Sequence, residues 1–210
     1  MEEIAIGTPI VDNKGQIPSM PYEYAVNLFK LIASGIVCVD WVTLPGETMT
    51  DSMNRIVDRF LEQNTTAKKF LMLHPDTLLR PNDLALLLAT EADIVAPISV
   101  KSSPPFNISA FRFDEKNKPF PLVLGQDFER DMVIDVDVVD LNCVVIRREV
   151  LEKMATKDHP FFEIRYEGKV PIPDYFNFCL KAKKLGFKIM MNAHAQVESI
   201  GWAKYFLEDE

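Results

Sequence analysis

The sequence predicts an α/β fold built on a mostly parallel, doubly wound sheet. Three observations carry that prediction. Three rounds of apolar strand and amphipathic helix fill the first ninety residues, and a fourth strand follows at 93–98. The strands are near-continuous apolar runs, as expected of strands covered on both faces. One of them, Lys69-Phe70-Leu71-Met72-Leu73, stops abruptly at His74-Pro75-Asp76-Thr77. A buried parallel strand with that ending delivers polar side chains to the carboxyl edge of the sheet, where open α/β folds hold their ligands.

Each element has its own signal. Glu3-Ile4-Ala5-Ile6-Gly7-Thr8-Pro9 is a short strand stopped by Gly and Pro, and a polar loop at 11–16 follows. From Pro21, residues Tyr24, Ala25, Leu28, Phe29, Leu31 and Ile32 recur at helical spacing, with Gly35 at the end. Residues 36–43 form a second strand. After Pro45-Gly46, Thr50-Asp51-Ser52 reads as the N-cap of a helix carrying Met53, Ile56, Val57, Phe60 and Leu61 on one face. The third strand starts at Lys69, with a helix at 81–90 behind it.

The second half has a different texture. Residues 101–130 are rich in Pro and Phe with short alternating runs, which suggests hairpin pieces rather than another βα unit. A strand is expected over 132–139 and another over 142–146, the latter leading into a helix at 148–154. A loop carries His159, Phe161 and Phe162; a helix spans 173–184 and ends at Gly186. Extended pieces at 187–191 and 195–200 and a short helix at 202–206 complete the chain.

At 210 residues, 48% hydrophobic and 26% charged, the chain suits one soluble domain with a substantial core. No apolar run approaches the roughly 20 residues that span a bilayer, and the acidic start Met1-Glu2-Glu3 argues against a signal peptide. A net charge of −8 offers no global attraction to nucleic acid or anionic membrane, although a local basic patch is compatible with it. Cys38, Cys143 and Cys179 are odd in number, far apart and flanked by apolar residues, so they read as buried thiols of a reducing compartment, the cytoplasm.

The order of these signals resembles the GT-A-type glycosyltransferases along residues 4–201. Four segments carry the resemblance: Ala5-Ile6-Gly7-Thr8-Pro9; Leu71-Met72-Leu73-His74-Pro75-Asp76 with Pro81-Asn82-Asp83-Leu84; Leu141-Asn142-Cys143-Val144-Val145-Ile146-Arg147-Arg148-Glu149-Val150-Leu151; and Pro173-Asp174-Tyr175-Phe176-Asn177-Phe178-Cys179. The second matches a strand, an Asp-x-Asp metal motif and a helix. The fourth matches a Glu-Asp-x-x-Phe-Cys helix whose acidic residue serves inverting members as general base. The pattern is degenerate: His74 stands for the first Asp of the metal motif, Pro173 for the Glu, and Ser199 for a late metal-binding His.

The resemblance implies a single GT-A-like domain over 1–210, with a nucleotide-sugar-binding half at 1–100 and an acceptor-binding half at 101–210. It implies a transferase moving a sugar from a nucleotide-sugar donor to a hydroxyl acceptor, with Asp174 as base. Thr8, Pro9, Asp12, Asn54, Arg55, Asp76 and Lys101 are the donor-binding candidates. Asp76 and His74 are the candidate ligands of a Mn²⁺ or Mg²⁺ ion, with imidazole suiting Mn²⁺ better. Without a metal, cations such as Arg55, Arg80, Lys101, Arg147 and Arg148 would take its place. His159, Phe161 and Phe162 are the acceptor candidates.

Plainer readings stand beside these. His74 and Asp76 could simply end a strand, Asp174 could serve the helix terminus, and the loop aromatics could pack in the core. Asp135, Asp137 and Asp140 could line the site or form a wet edge. Two further functions compete: a catalytically silent nucleotide-binding or scaffold module, and a viral-type transferase acting on modified DNA bases.

Overall fold

The computed structural model describes residues 3–11, 20–35, 37–63, 66–100, 108–115, 118–157 and 159–200. The first half runs β1 (Glu3–Gly7), β2 (Ile10–Val11), α1 (Tyr22–Ala33), β3 (Val37–Val42), β4 (Pro45–Gly46), α2 (Met49–Glu62), β5 (Lys69–Leu73), β6 (Thr77–Leu79), α3 (Pro81–Ala89) and β7 (Ile94–Ile98). The second runs β8 (Ala110–Phe113), β9 (Pro119–Pro121), β10 (Val133–Asp135), β11 (Val138–Val139), β12 (Cys143–Arg147) and α4 (Arg148–Lys157). It ends with β13 (Arg165–Glu167), β14 (Val170–Ile172), α5 (Asp174–Lys184) and β15 (Ile189–Ser199).

The main sheet has the order β10-β15-β7-β12-β5-β1-β3, with β6 paired to the far end of β15. β1 is parallel to β3 and β5, and β15 is parallel to β7. β12 lies antiparallel between β5 and β7, so the second half supplies a strand to the middle of the first half's sheet. The expected α/β architecture is present and largely parallel, but β7 does not sit beside β5.

Strand alternation sends side chains to two cores. Phe70 and Met72 join a core with Phe60, Phe162 and Phe178, while Leu71 and Leu73 join another with Tyr24, Leu31 and Leu84. Fully covered apolar runs are what both faces require, and all five residues of β5 are buried.

Several local expectations change. In α1 the buried face is Tyr24, Leu28 and Leu31, whereas Phe29 is 74% exposed, one residue off that stripe. The cap of α2 is Thr48, whose hydroxyl accepts from the Asp51 N–H at 3.0 Å, and not Thr50-Asp51-Ser52. Gly46 makes that tight entry feasible, because a Cβ there would lie 2.3 Å from the Ser52 backbone nitrogen. The strand expected over 132–139 is two: β10 pairs with β15, and β11 with β8. The last two extended pieces are one strand, β15, with a register shift between Asn192 and Gln196. The β13–β14 hairpin has no counterpart in the sequence reading. The helix expected at 202–206 lies outside the described residues. No helix among the described residues is long and apolar enough to cross a membrane.

Candidate functional site

The chain leaves β5 into a tight turn pinned from three directions. The His74 N–H donates to the Asn142 carbonyl just before β12 at 2.8 Å, and Thr77 N–H closes the turn on the His74 carbonyl at 3.0 Å. Beyond the end of β15, Ile200 N–H donates to the Asp76 carbonyl at 2.6 Å. The Tyr24 hydroxyl reaches the Leu73 carbonyl at 3.2 Å. The Asp76 side chain stays at the surface, with the Thr77 hydroxyl beside it at 3.2 Å. The His74 Nε2 is the opposite case: it is enclosed and has no hydrogen-bond partner among the described residues. Burial holds the His74 pKa below its ordinary value of 6.5, against the opposing pull of the Asp76 and Asp174 carboxylates. His74 is therefore a neutral imidazole at neutral pH.

Asp174 opens α5 behind Pro173, which supplies no capping side chain. Its Oδ1 accepts the Tyr175 N–H at 2.8 Å and its Oδ2 accepts the Thr50 hydroxyl at 2.7 Å. The carboxylate is thus fixed between the starts of two helices and interacts electrostatically with His74. A third carboxylate, Asp140, accepts the Ser99 hydroxyl and the Asn142 N–H, each at 3.1 Å. Burial raises its pKa, an effect opposed by those bonds and one from Ser109 and reinforced by the Asp76 charge. Tyr175 is raised by burial and then by Asp140 and Asp174. One edge of the sheet thus gathers an imidazole, three carboxylates and a phenol.

Other expected site residues sit elsewhere. Thr8 is fully buried, bonded to the Tyr24 hydroxyl at 2.5 Å and to Trp41 Nε1 at 3.0 Å, and Pro9 is buried beside it. Neither presents a surface to a donor, because the strand end turns inward under Trp41. Asn54 gives its Nδ2 to the Phe162 carbonyl at 2.8 Å and takes the Phe162 N–H at 3.0 Å, so it clasps a loop rather than facing a nucleotide. Arg55 is exposed and donates to the Pro45 carbonyl. Asp12 and Lys101 lie outside the described residues.

The acceptor assignment of Phe161 and Phe162 is overturned, since both are core residues at 0% and 1% exposure. Phe162 stacks on Phe178 with centroids 5.0 Å apart. His159 stays half-exposed and pairs with Asp58 on α2 at 3.4 Å. Lys183 bridges Asp135 and Asp137, leaving only Asp140 of that trio at the site. Thr50 was legible only as a cap, and no local signal announces its bond across 124 positions to Asp174.

The same loop is tied to α5 by Lys181, which is 5% exposed and lies 2.5 Å from Glu163. Arg165, opposed by partial burial and helped by Lys181, holds the Glu163 carboxyl below its ordinary 4.5. A carboxyl with a depressed folded pKa contributes stability above its unfolded value and loses it as pH falls through the folded one. Glu163→Gln should therefore lower stability at pH 7 by about 0.5–1 kcal/mol, the worth of a solvent-screened ion pair, and the difference from wild type should shrink below pH 4.5. Urea melts at pH 7 and pH 3.5 check this; equal differences at both would refute it.

The fold has solved counterparts. It matches the crystal structure of A197 from STIV at 13% identity and a TM-score of 0.62, covering 100% of this chain and 96% of that one. GalNAc-T7, solved with UDP, GalNAc and Mn²⁺, matches at 11% identity and 0.55, covering 95% of this chain and 44% of its own. The inositol-1-phosphate CTP transferase from T. maritima matches at 15% identity and 0.52, covering 95% and 89%. No family model matches the sequence, and no curated protein does. At these identities the likeness is one of fold, and the fold is GT-A-like.

Among the described residues no three His, Cys, Asp or Glu side chains converge to hold a metal ion by themselves. A divalent ion arriving with a diphosphate needs only one or two protein donors. The exposed Asp76 carboxylate fits that smaller demand, whereas the enclosed His74 Nε2 does not.

Proposed function

We propose that this chain transfers a sugar from a nucleotide-sugar donor to a hydroxyl acceptor, in the cytoplasm, with inversion at the anomeric carbon. The donor lies against the half at 1–100 and the acceptor against the half at 101–210. The observation that carries this reading is the electrostatic coupling of His74, at the end of β5, to Asp76 and to Asp174, a hundred positions later at the start of α5. GalNAc-T7, which shares the fold, was solved with UDP, GalNAc and Mn²⁺, and that likeness supports a nucleotide-sugar donor. The free thiols, with Cys143 and Cys179 buried, agree with a reducing compartment.

Asp174, fixed by Thr50 and its own helix, takes the proton of the acceptor hydroxyl as that oxygen attacks the anomeric carbon. The bond to the diphosphate breaks and its electron pair leaves with the nucleotide. Asp76 faces the diphosphate and would hold a Mn²⁺ or Mg²⁺ ion, whose contribution is to neutralise the leaving charge. Arg55, exposed midway along α2, is a cation of the donor half.

A panel of UDP-, GDP- and CDP-sugars, assayed with Mg²⁺, Mn²⁺ or EDTA, tests the reading. Asp76→Ala should raise the donor KM at least about tenfold, the loss of one charge-assisted contact, with an unchanged melting temperature. An unchanged donor KM would remove Asp76 from the diphosphate. The enclosed His74 Nε2 favours a second reading, a silent nucleotide-binding scaffold. UDP binding without turnover of any donor would select that one.

A further inference from the structure

A cavity of about 450 Å³ opens between the β8–β9 pair, the β13–β14 hairpin and α5. Its walls are Phe113, Pro119, Pro171, Phe176 and Leu180, with Glu167 as the charged group among its lining residues. The cavity ends against Pro173, the residue immediately before Asp174. Leu180 of the wall and Val170 beside it are exposed at 42% and 66%.

We propose that this cavity seats the aromatic body of the acceptor, so that the hydroxyl attacking the donor is carried on an aryl ring. The inference rests on the transferase reading above and names its acceptor class. The volume matches a small ligand, and two phenylalanines and three prolines among the lining residues suit a flat aromatic ring. A saccharide in the same place would set several hydroxyls against five apolar side chains with one carboxylate to satisfy them, and buried polar groups without partners oppose binding. Asp174 follows the wall residue Pro173 directly in the chain, so an acceptor seated here lies at the start of α5. The aromatic contact expected of Phe161 and Phe162 thus falls to Phe113 and Phe176. In the reaction the ring oxygen forms its bond to the anomeric carbon, the bond from that carbon to the diphosphate breaks, and the hydroxyl proton ends on Asp174.

The test has two arms on the full chain. In the first, 2-naphthol is titrated and followed by its own emission, against wild type, Leu180→Arg, Phe176→Ala and a distant control, Leu86→Arg on the exposed face of α3. Both cavity variants should weaken binding at least tenfold while the control matches wild type, with melting temperatures confirming folding. Absence of binding, or equal binding in all four, overturns the proposal. In the second arm the donor panel is offered 2-naphthol, octanol and xylobiose as acceptors. Transfer to 2-naphthol, reduced at least tenfold by Leu180→Arg, supports it. Transfer to xylobiose or octanol alone, unaffected by Leu180→Arg, overturns the aromatic acceptor while the transferase reading stands. Binding of 2-naphthol with no transfer from any donor to any acceptor overturns both.

Discussion

Asp174→Asn should lower turnover by about 10²–10⁴-fold, the usual contribution of a general base, while the protein remains folded and donor KM changes little. The substitution keeps shape. An amide oxygen can still accept the Tyr175 N–H that now reaches Oδ1, and the amide nitrogen can donate to Thr50 Oγ1 in place of the present bond in the other direction. Only the basic oxygen is lost. A residue present solely to serve the helix terminus would give the reverse result, a change of a few tenths to about 1 kcal/mol in stability and none in turnover.

Thr50 refines the test. Thr50→Val removes one of the two donors that aim the carboxylate, and turnover should fall about tenfold, the worth of one hydrogen bond of ordinary strength. Thr50→Ser should restore it, because the hydroxyl alone makes that contact. Full activity in Asp174→Asn would exclude this residue as the base and leave the fold unaffected.

The first half of this fold is legible because its signals are local. Apolar runs closed by Gly or Pro, and helices with one apolar stripe, can be read within a dozen residues. The insertion of β12 between β5 and β7 cannot, since it depends on which strand best completes two partly satisfied ladders. The same limit applies at the site. The abrupt end of β5 before His74-Pro75-Asp76 is readable locally, because a polar cluster after five buried residues has few other places to go. Thr50 and Asp140 had no such local mark, and their roles come from chain segments folded against them. Thr8 failed for a related reason: a polar residue at a strand end is compatible with a ligand or with inward partners, and Tyr24 and Trp41 supply the partners.

Phe162→Ala should destabilise the protein by about 3–5 kcal/mol, the range for truncating a fully buried aromatic ring. Its ring is 1% exposed, stacks on Phe178 at 5.0 Å and lies 6.3 Å from Phe161. The backbone on either side is clasped by Asn54, so the loop cannot easily collapse into the space the ring leaves, and incomplete collapse keeps the penalty high. In urea the midpoint should fall with little change in slope. Kinetics separate this from the acceptor role that the aromatic loop suggests in the sequence. A ring stacking on an acceptor would, when truncated, raise the acceptor KM and leave the urea midpoint alone. A ring wedged between α2 and α5 lowers the midpoint first. Because Asp174 starts the helix on which Phe178 sits, any accompanying loss of activity should appear in kcat and recover at low temperature, where the folded population is restored.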